Sequence, residues 1–133
     1  MSEPVVLFVC VRNAGRSQIA EALFNRRAAG RARARSAGSE PADAVQPEVV
    51  ASLAAAGLDI STARPKAITP SVTDGVDVVV GMGCGDACPV IPGARTLEWN
   101  TPDPHGRGAD EVDRIRDDIA ASIERLLAEL GLS

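Results

Sequence analysis

The chain has 133 residues, a net charge of −4, and 45% apolar, 24% charged and 2% aromatic residues. That length supports one self-sufficient core, so a single domain over residues 1–133 is expected. Three aromatic residues (Phe8, Phe24, Trp99) are too few for a nucleic-acid stacking platform, and the charge has the wrong sign for a general nucleic-acid or anionic-membrane binder.

Val5–Cys10 is a continuous apolar run, the pattern of a strand buried on both faces. A glycine-containing loop follows over residues 11–15. The pairs Ile19/Leu23 and Ala20/Phe24 predict a helix over residues 17–29, with Arg26 and Arg27 at its end and Gly30 as its stop. Residues 32–37 read as a strand in which Arg33 and Arg35 alternate with small residues. An edge strand kept from aggregating explains these arginines better than nucleic acid does. Residues 47–56 form a second helix between Pro47 and Gly57. Thr69-Pro70 caps a short helix ending near Gly75. Residues 76–80 and 94–99 are further strands, Asp77 being the one polar residue of the first. Val112, Ile115, Ile119, Ile123, Leu126 and Leu130 step by three or four through a long helix over residues 110–130.

Strands alternating with helices imply a parallel sheet, and ligands of such sheets bind beyond the carboxyl ends of the strands. Cys10, residues 36–39, Cys84 and Asp103 all fall on that edge. No repeat or linker interrupts the chain. Its longest apolar run, residues 5–11, falls well short of the roughly 20 residues that cross a bilayer. Glu3 stands where a signal peptide would carry positive charge, so a cytoplasmic location with reduced thiols is expected. Three cysteines are then a sign of chemistry rather than of a disulfide framework. The charge is uneven. Residues 1–66 hold 9 basic and 6 acidic groups, leaving room for an anion site there.

The stretch Cys10-Val-Arg-Asn-Ala-Gly-Arg16-Ser17 lies between a strand and a helix. Five residues make a tight loop whose N–H groups can converge on a tetrahedral oxyanion, and the following helix adds its positive end. Val11, Arg12, Asn13, Ala14, Gly15, Arg16 and Ser17 are the expected oxyanion-binding residues. Arg16 closes over the anion with a two-pronged fork. Cys10, beneath it, is placed as an in-line nucleophile. A thiol is only a few per cent thiolate at neutral pH, so the loop N–H groups, the Ser17 hydroxyl and Arg16 are needed to stabilise the anion. A bare Cys-x5-Arg match is common by chance; its position after an apolar strand and before a helix makes it specific.

Cys84 and Cys88 sit in a glycine-rich segment, Gly81-Met-Gly-Cys-Gly-Asp-Ala-Cys-Pro89. Zinc would need three or four ligands, and only His105 stands beyond the cysteines. A redox pair on the Cys10 edge is the better reading. If the segment were helical, it would have to distort to bring the two Cβ atoms to the roughly 3.8 Å a disulfide requires. Asp103 precedes Pro104 in a loop over the site. By position alone it is equally a turn-former or a general acid.

Cys10-x-x-Asn-x-x-Arg-Ser17 resembles the low-molecular-weight protein tyrosine phosphatase superfamily. The run from Asn13 to Ala22, Ser36-Ala-Gly-Ser39, Lys66-Ala-Ile-Thr69, Met82-Gly-Cys84, Cys88-Pro89 and Asp103-Pro104 resemble its arsenate reductase branch. The resemblance implies a flavodoxin-like four-stranded parallel sheet flanked by helices. It implies arsenate as substrate, with phosphate and sulfate as competing anions. It gives Asp103 the role of acid. It implies a relay in which Cys84 attacks the Cys10–arsenic adduct and Cys88 then attacks Cys84. Thioredoxin restores the thiols; mycothiol with mycoredoxin is the rival reductant, and no cofactor is tightly held. A phosphatase of this superfamily would usually carry tyrosines beyond Asp103-Pro104, where this chain has His105. Asn13, Glu21 and Ser36 match positions that hold a potassium ion in some relatives.

Overall fold

The first apolar run forms β1 (Val5–Cys10), and its lack of polar alternation has a direct cause. In the structure, a computed structural model that describes residues 3–132, β1 is an inner strand buried on both faces. β2 (Arg33–Gly38), β3 (Val78–Gly81) and β4 (Arg95–Glu98) complete a sheet in the order β2-β1-β3-β4, with every pairing parallel. The helices are α1 (Arg16–Ala28), α2 (Pro47–Ala55), the short α3 (Pro70–Thr73) and α4 (Ala109–Glu129). The parallel sheet is the one the alternation of elements predicts, and its flavodoxin-like form is the one the resemblance implies.

The two sheet faces are covered differently. Val6, Phe8, Val78 and Val80 pack against Ile19 and Phe24 of α1, Val49 and Leu53 of α2, and the stripe Val112, Ile115, Ile119, Ile123 and Leu126 of α4. Leu7, Val9 and Val79 face a smaller cluster with Val72, Val76, Cys84 and the half-buried Cys88 and Ile91. Loops and α3, rather than long helices, close that second face. All three aromatic side chains are used in the first core. The Phe8 ring lies 5.9 Å from Phe24, edge-on, and 5.5 Å from Trp99. Among the described residues no helix is long and apolar enough to cross a membrane.

Element boundaries differ from expectation in instructive places. β3 begins at Val78 rather than at residue 76. Asp77 bonds to both neighbours, but partly through its side chain: its N–H donates to Val5 O at 2.8 Å, and its Oδ2 accepts the Val5 N–H at 2.8 Å. A carboxylate thus stands in for a ladder carbonyl. α1 stops one residue early because Ala29, at φ 51°, turns into the left-handed region before Gly30 does. Thr69 does not cap α3 with its side chain; its hydroxyl pairs with the Ser71 hydroxyl at 2.8 Å. β2 is an edge strand, and Arg35 anchors it by donating to the Val72 and Asp74 carbonyls at 3.2 and 2.6 Å.

Candidate active site

The loop between β1 and α1 is shaped from outside. The carbonyls of Cys10, Val11, Arg12 and Ala14 accept N–H groups of Ser39, Glu40, Ala42 and Gln46 at 3.2, 2.7, 3.0 and 2.9 Å. The Asn13 carbonyl accepts Gln18 Nε2 at 3.2 Å, and the Gly15 carbonyl accepts Ile19 N–H at 3.0 Å. Every carbonyl from Cys10 to Gly15 is therefore held. The N–H groups of Val11, Arg12, Ala14, Gly15, Arg16 and Ser17 have no protein acceptor among the described residues. Carbonyls outward and N–H groups free is the arrangement that binds an anion, with the first turn of α1 adding to it.

Asn13 makes the loop possible. It adopts φ 51°, a left-handed conformation that asparagine tolerates better than most residues, and it is fully buried. Its Oδ1 accepts the Lys66 N–H at 2.8 Å and Gln18 Nε2 at 3.1 Å. Its Nδ2 donates to Ser17 Oγ at 2.7 Å. Since Ser17 Oγ accepts there, its own hydrogen is free for Cys10 Sγ, 2.8 Å away. The Asn13 N–H also points at Cys10 Sγ, at 3.3 Å. Cys10 is buried and not disulfide-bonded. Two donors are thus aimed at one sulfur.

Arg16, at the first position of α1, is mostly buried and reaches across the site. Its Nη1 donates to Thr101 O at 3.4 Å, and its Nη2 lies 3.9 Å from Asp103 Oδ2. Asp103 is half exposed and heads a turn, its Oδ1 accepting the His105 N–H at 3.0 Å. It is therefore a turn-former, and its other carboxylate oxygen lies beside Arg16. Pro104 locks this turn onto the loop: a Cβ on Gly15 would stand 2.8 Å from Pro104 Cγ. His105 is exposed.

Cys84 and Cys88 form a disulfide with their Cα atoms 5.2 Å apart. The segment between them is no distorted α-helix but a 3-10 turn, Gly85–Ala87, with Gly83 and Gly85 at φ 98° and 57°. Those two glycines allow the tight path. Cys84 Sγ lies 3.6 Å from the carbonyl of Val9, the residue before Cys10. Cys84 is buried, and Cys88 is half exposed. Cys10 belongs to the cluster on the α1 side of the sheet and Cys84 to the cluster on the loop side.

The three residues that match a potassium site are engaged by protein partners. Ser36 Oγ donates to Glu21 Oε1, and Lys66 Nζ sits 3.5 Å from Glu21 Oε1 and 3.4 Å from Ser36 Oγ. Both lone pairs of Asn13 Oδ1 are taken. An ammonium group stands among these side chains already, so the three do not fit a potassium site. Sequence reasoning also missed Gly38, Gln18 and Gly83. Of these, only Gly38 carried a visible signal, a glycine closing a strand beside the loop.

The structure brings together a thiol, a loop of unpaired amides, a helix start and an arginine at one end of β1. The chain belongs to the low molecular weight phosphotyrosine protein phosphatase family, which matches residues 5–133. Arsenate reductase 1 of Staphylococcus epidermidis is 34% identical over 128 residues, covering 93% of this chain and 96% of its own. A thioredoxin-dependent arsenate reductase from Corynebacterium glutamicum superposes with TM-score 0.83 at 42% identity, and this chain, 98% covered, spans 63% of that one. An arsenate reductase from Archaeoglobus fulgidus gives TM-score 0.80 at 32% identity, with 92% of this chain and 98% of that chain covered.

Crystals grown with phosphate should show the ion on the N–H groups of residues 11–17, with Arg16 bidentate to it. An ion bound elsewhere beside an empty loop would count against the site.

Proposed function

We propose that the chain, acting as one domain, is an arsenate reductase whose thiols are restored by thioredoxin. The observation that carries this reading is the pairing of a free Cys10 under the amide loop with a Cys84–Cys88 disulfide at the end of the adjoining strand. Relatives named as arsenate reductases, one of them thioredoxin-dependent, support it.

The loop and Arg16 hold arsenate, with phosphate and sulfate as competitors. Cys10 Sγ attacks arsenic, and Asp103 gives a proton to the departing oxygen, which leaves as water. Cys84 thiolate then attacks Cys10 Sγ. The sulfur–sulfur bond forms, the sulfur–arsenic bond breaks, and its electron pair stays on arsenic, which leaves as arsenite. Cys88 thiolate attacks Cys84 Sγ and frees Cys10. The resulting disulfide is the one present here. Of its two cysteines Cys88 is the less buried, and it is the one the reductant attacks.

The test is arsenate-dependent NADPH oxidation with purified thioredoxin and thioredoxin reductase, run beside a mycothiol and mycoredoxin system. Cys88→Ser should trap a Cys10–Cys84 disulfide after one turnover, read by peptide mapping, whereas wild type accumulates Cys84–Cys88. If Cys84→Ser and Cys88→Ser both turn over normally with mycothiol, the internal relay is wrong and the mycothiol system replaces it.

A further inference from the structure

Among the described residues, one large apolar side chain is left exposed: Val90, at 89%. It lies two residues after Cys88, so the two Cα atoms are at most about 7 Å apart. Its setting is firm. Cys88 is tied back by the disulfide and by its N–H donating to Gly85 O at 3.2 Å. Ile91 packs against the second-face cluster and accepts the Ala94 N–H at 3.0 Å. Pro89 and Pro92 restrict the backbone on either side. Val90 stands between these anchors, turned outward. Its backbone N–H and C=O have no protein partner among the described residues.

We propose that Val90 is the apolar anchor on which the thioredoxin-type reductant docks, which rests on the thioredoxin reading of the site. A reductant protein must bring its thiolate into bonding contact with Cys88 Sγ. Cys84 leaves with the electron pair of the broken disulfide. The second thiol of the partner then displaces Cys88, so two electrons pass from the partner dithiol to this chain. A protein in that contact necessarily covers residues within 7 Å or so of Cys88, and Val90 is the apolar surface it meets there. A rigidly held apolar side chain loses little entropy on docking, and the free N–H and C=O of Val90 can pair with an extended strand of the partner. A small thiol reaches the same sulfur without touching Val90.

The test measures turnover against thioredoxin concentration for wild type, Val90→Asp and Val90→Ile, with dithiothreitol as the small-thiol control. Val90→Asp should raise the KM for thioredoxin about tenfold, the scale of one lost interface anchor. Its kcat at saturating thioredoxin, its arsenate KM and its dithiothreitol-driven rate should stay at wild-type values, and Val90→Ile should match wild type throughout. An unchanged thioredoxin KM in Val90→Asp overturns the docking role. So does an equal loss with dithiothreitol, which would mean a damaged loop. Failure of thioredoxin to reduce the wild-type protein, while dithiothreitol succeeds, removes the thioredoxin reading and the anchor with it.

Discussion

Cys10→Ser is expected to abolish arsenate reduction while leaving the fold in place. Cys10 is buried at the end of β1, and its sulfur touches Ser17 Oγ at 2.8 Å and the Asn13 N–H at 3.3 Å. A serine hydroxyl is smaller but can keep both hydrogen bonds, so the loop keeps its shape. What disappears is the sulfur nucleophile that forms the sulfur–arsenic bond. Loss of a nucleophile costs a factor of at least about 10³ in comparable enzymes. Activity should fall to background, with unchanged circular dichroism and retained phosphate binding. Measurable turnover by the serine variant would remove Cys10 from its role.

Gly38→Ala should lower activity about 10²-fold without touching a reacting atom. Gly38 ends β2 and lies against the backbone of the oxyanion loop. A Cβ there would stand 2.6 Å from Val11 O, 2.8 Å from Asn13 N and 2.9 Å from the Arg12 carbonyl carbon. All three are main-chain atoms, so no flexible side chain can yield. Gly38 is itself fastened on its other side, its N–H donating to Lys66 O at 2.8 Å. The methyl group must push the loop outward and break part of its carbonyl bonding. Overpacking of this kind costs about 1–3 kcal/mol of stability. The larger effect is on geometry, where a shift of about 1 Å in a positioned group can cost about 10²-fold in rate. The variant should remain folded, melt earlier, and bind phosphate weakly. Wild-type phosphate affinity in Gly38→Ala would show that the close approach does not shape the loop.

Much of the fold was legible because burial leaves a periodic trace. The unbroken run Val5–Cys10 marked the strand buried on both faces, and the three-four stepping of Val112 through Leu126 marked α4. The nucleophile, the arginine and the loop were legible because their spacing is local, within eight residues. Contacts between distant segments left no such trace. Lys66 supplies both an N–H to Asn13 and an ammonium beside Glu21, from 45 or more residues away, and nothing in its neighbourhood announces either. Gly83 is similar. It lies against the Arg16 guanidinium, a contact visible only once β1 and β3 are side by side. The path between Cys84 and Cys88 was legible in part: the glycines around it signal that a helix there would distort, but not that the outcome is a 3-10 turn.

Cys10 faces the helical side of the sheet and Cys84 the side closed by loops, with the end of β1 between them. The sheet thus works as a partition within the proposed relay. In the oxidised state described here Cys10 is free and Cys84 is bonded to Cys88, with the two clusters that hold Cys10 and Cys84 on opposite faces of the sheet. The crossing takes place over the strand end, where Gly83 and Gly85 supply the hinge. In the proposed relay the exchange between Cys10 and Cys84 therefore takes place around the end of β1 rather than across one face of the sheet.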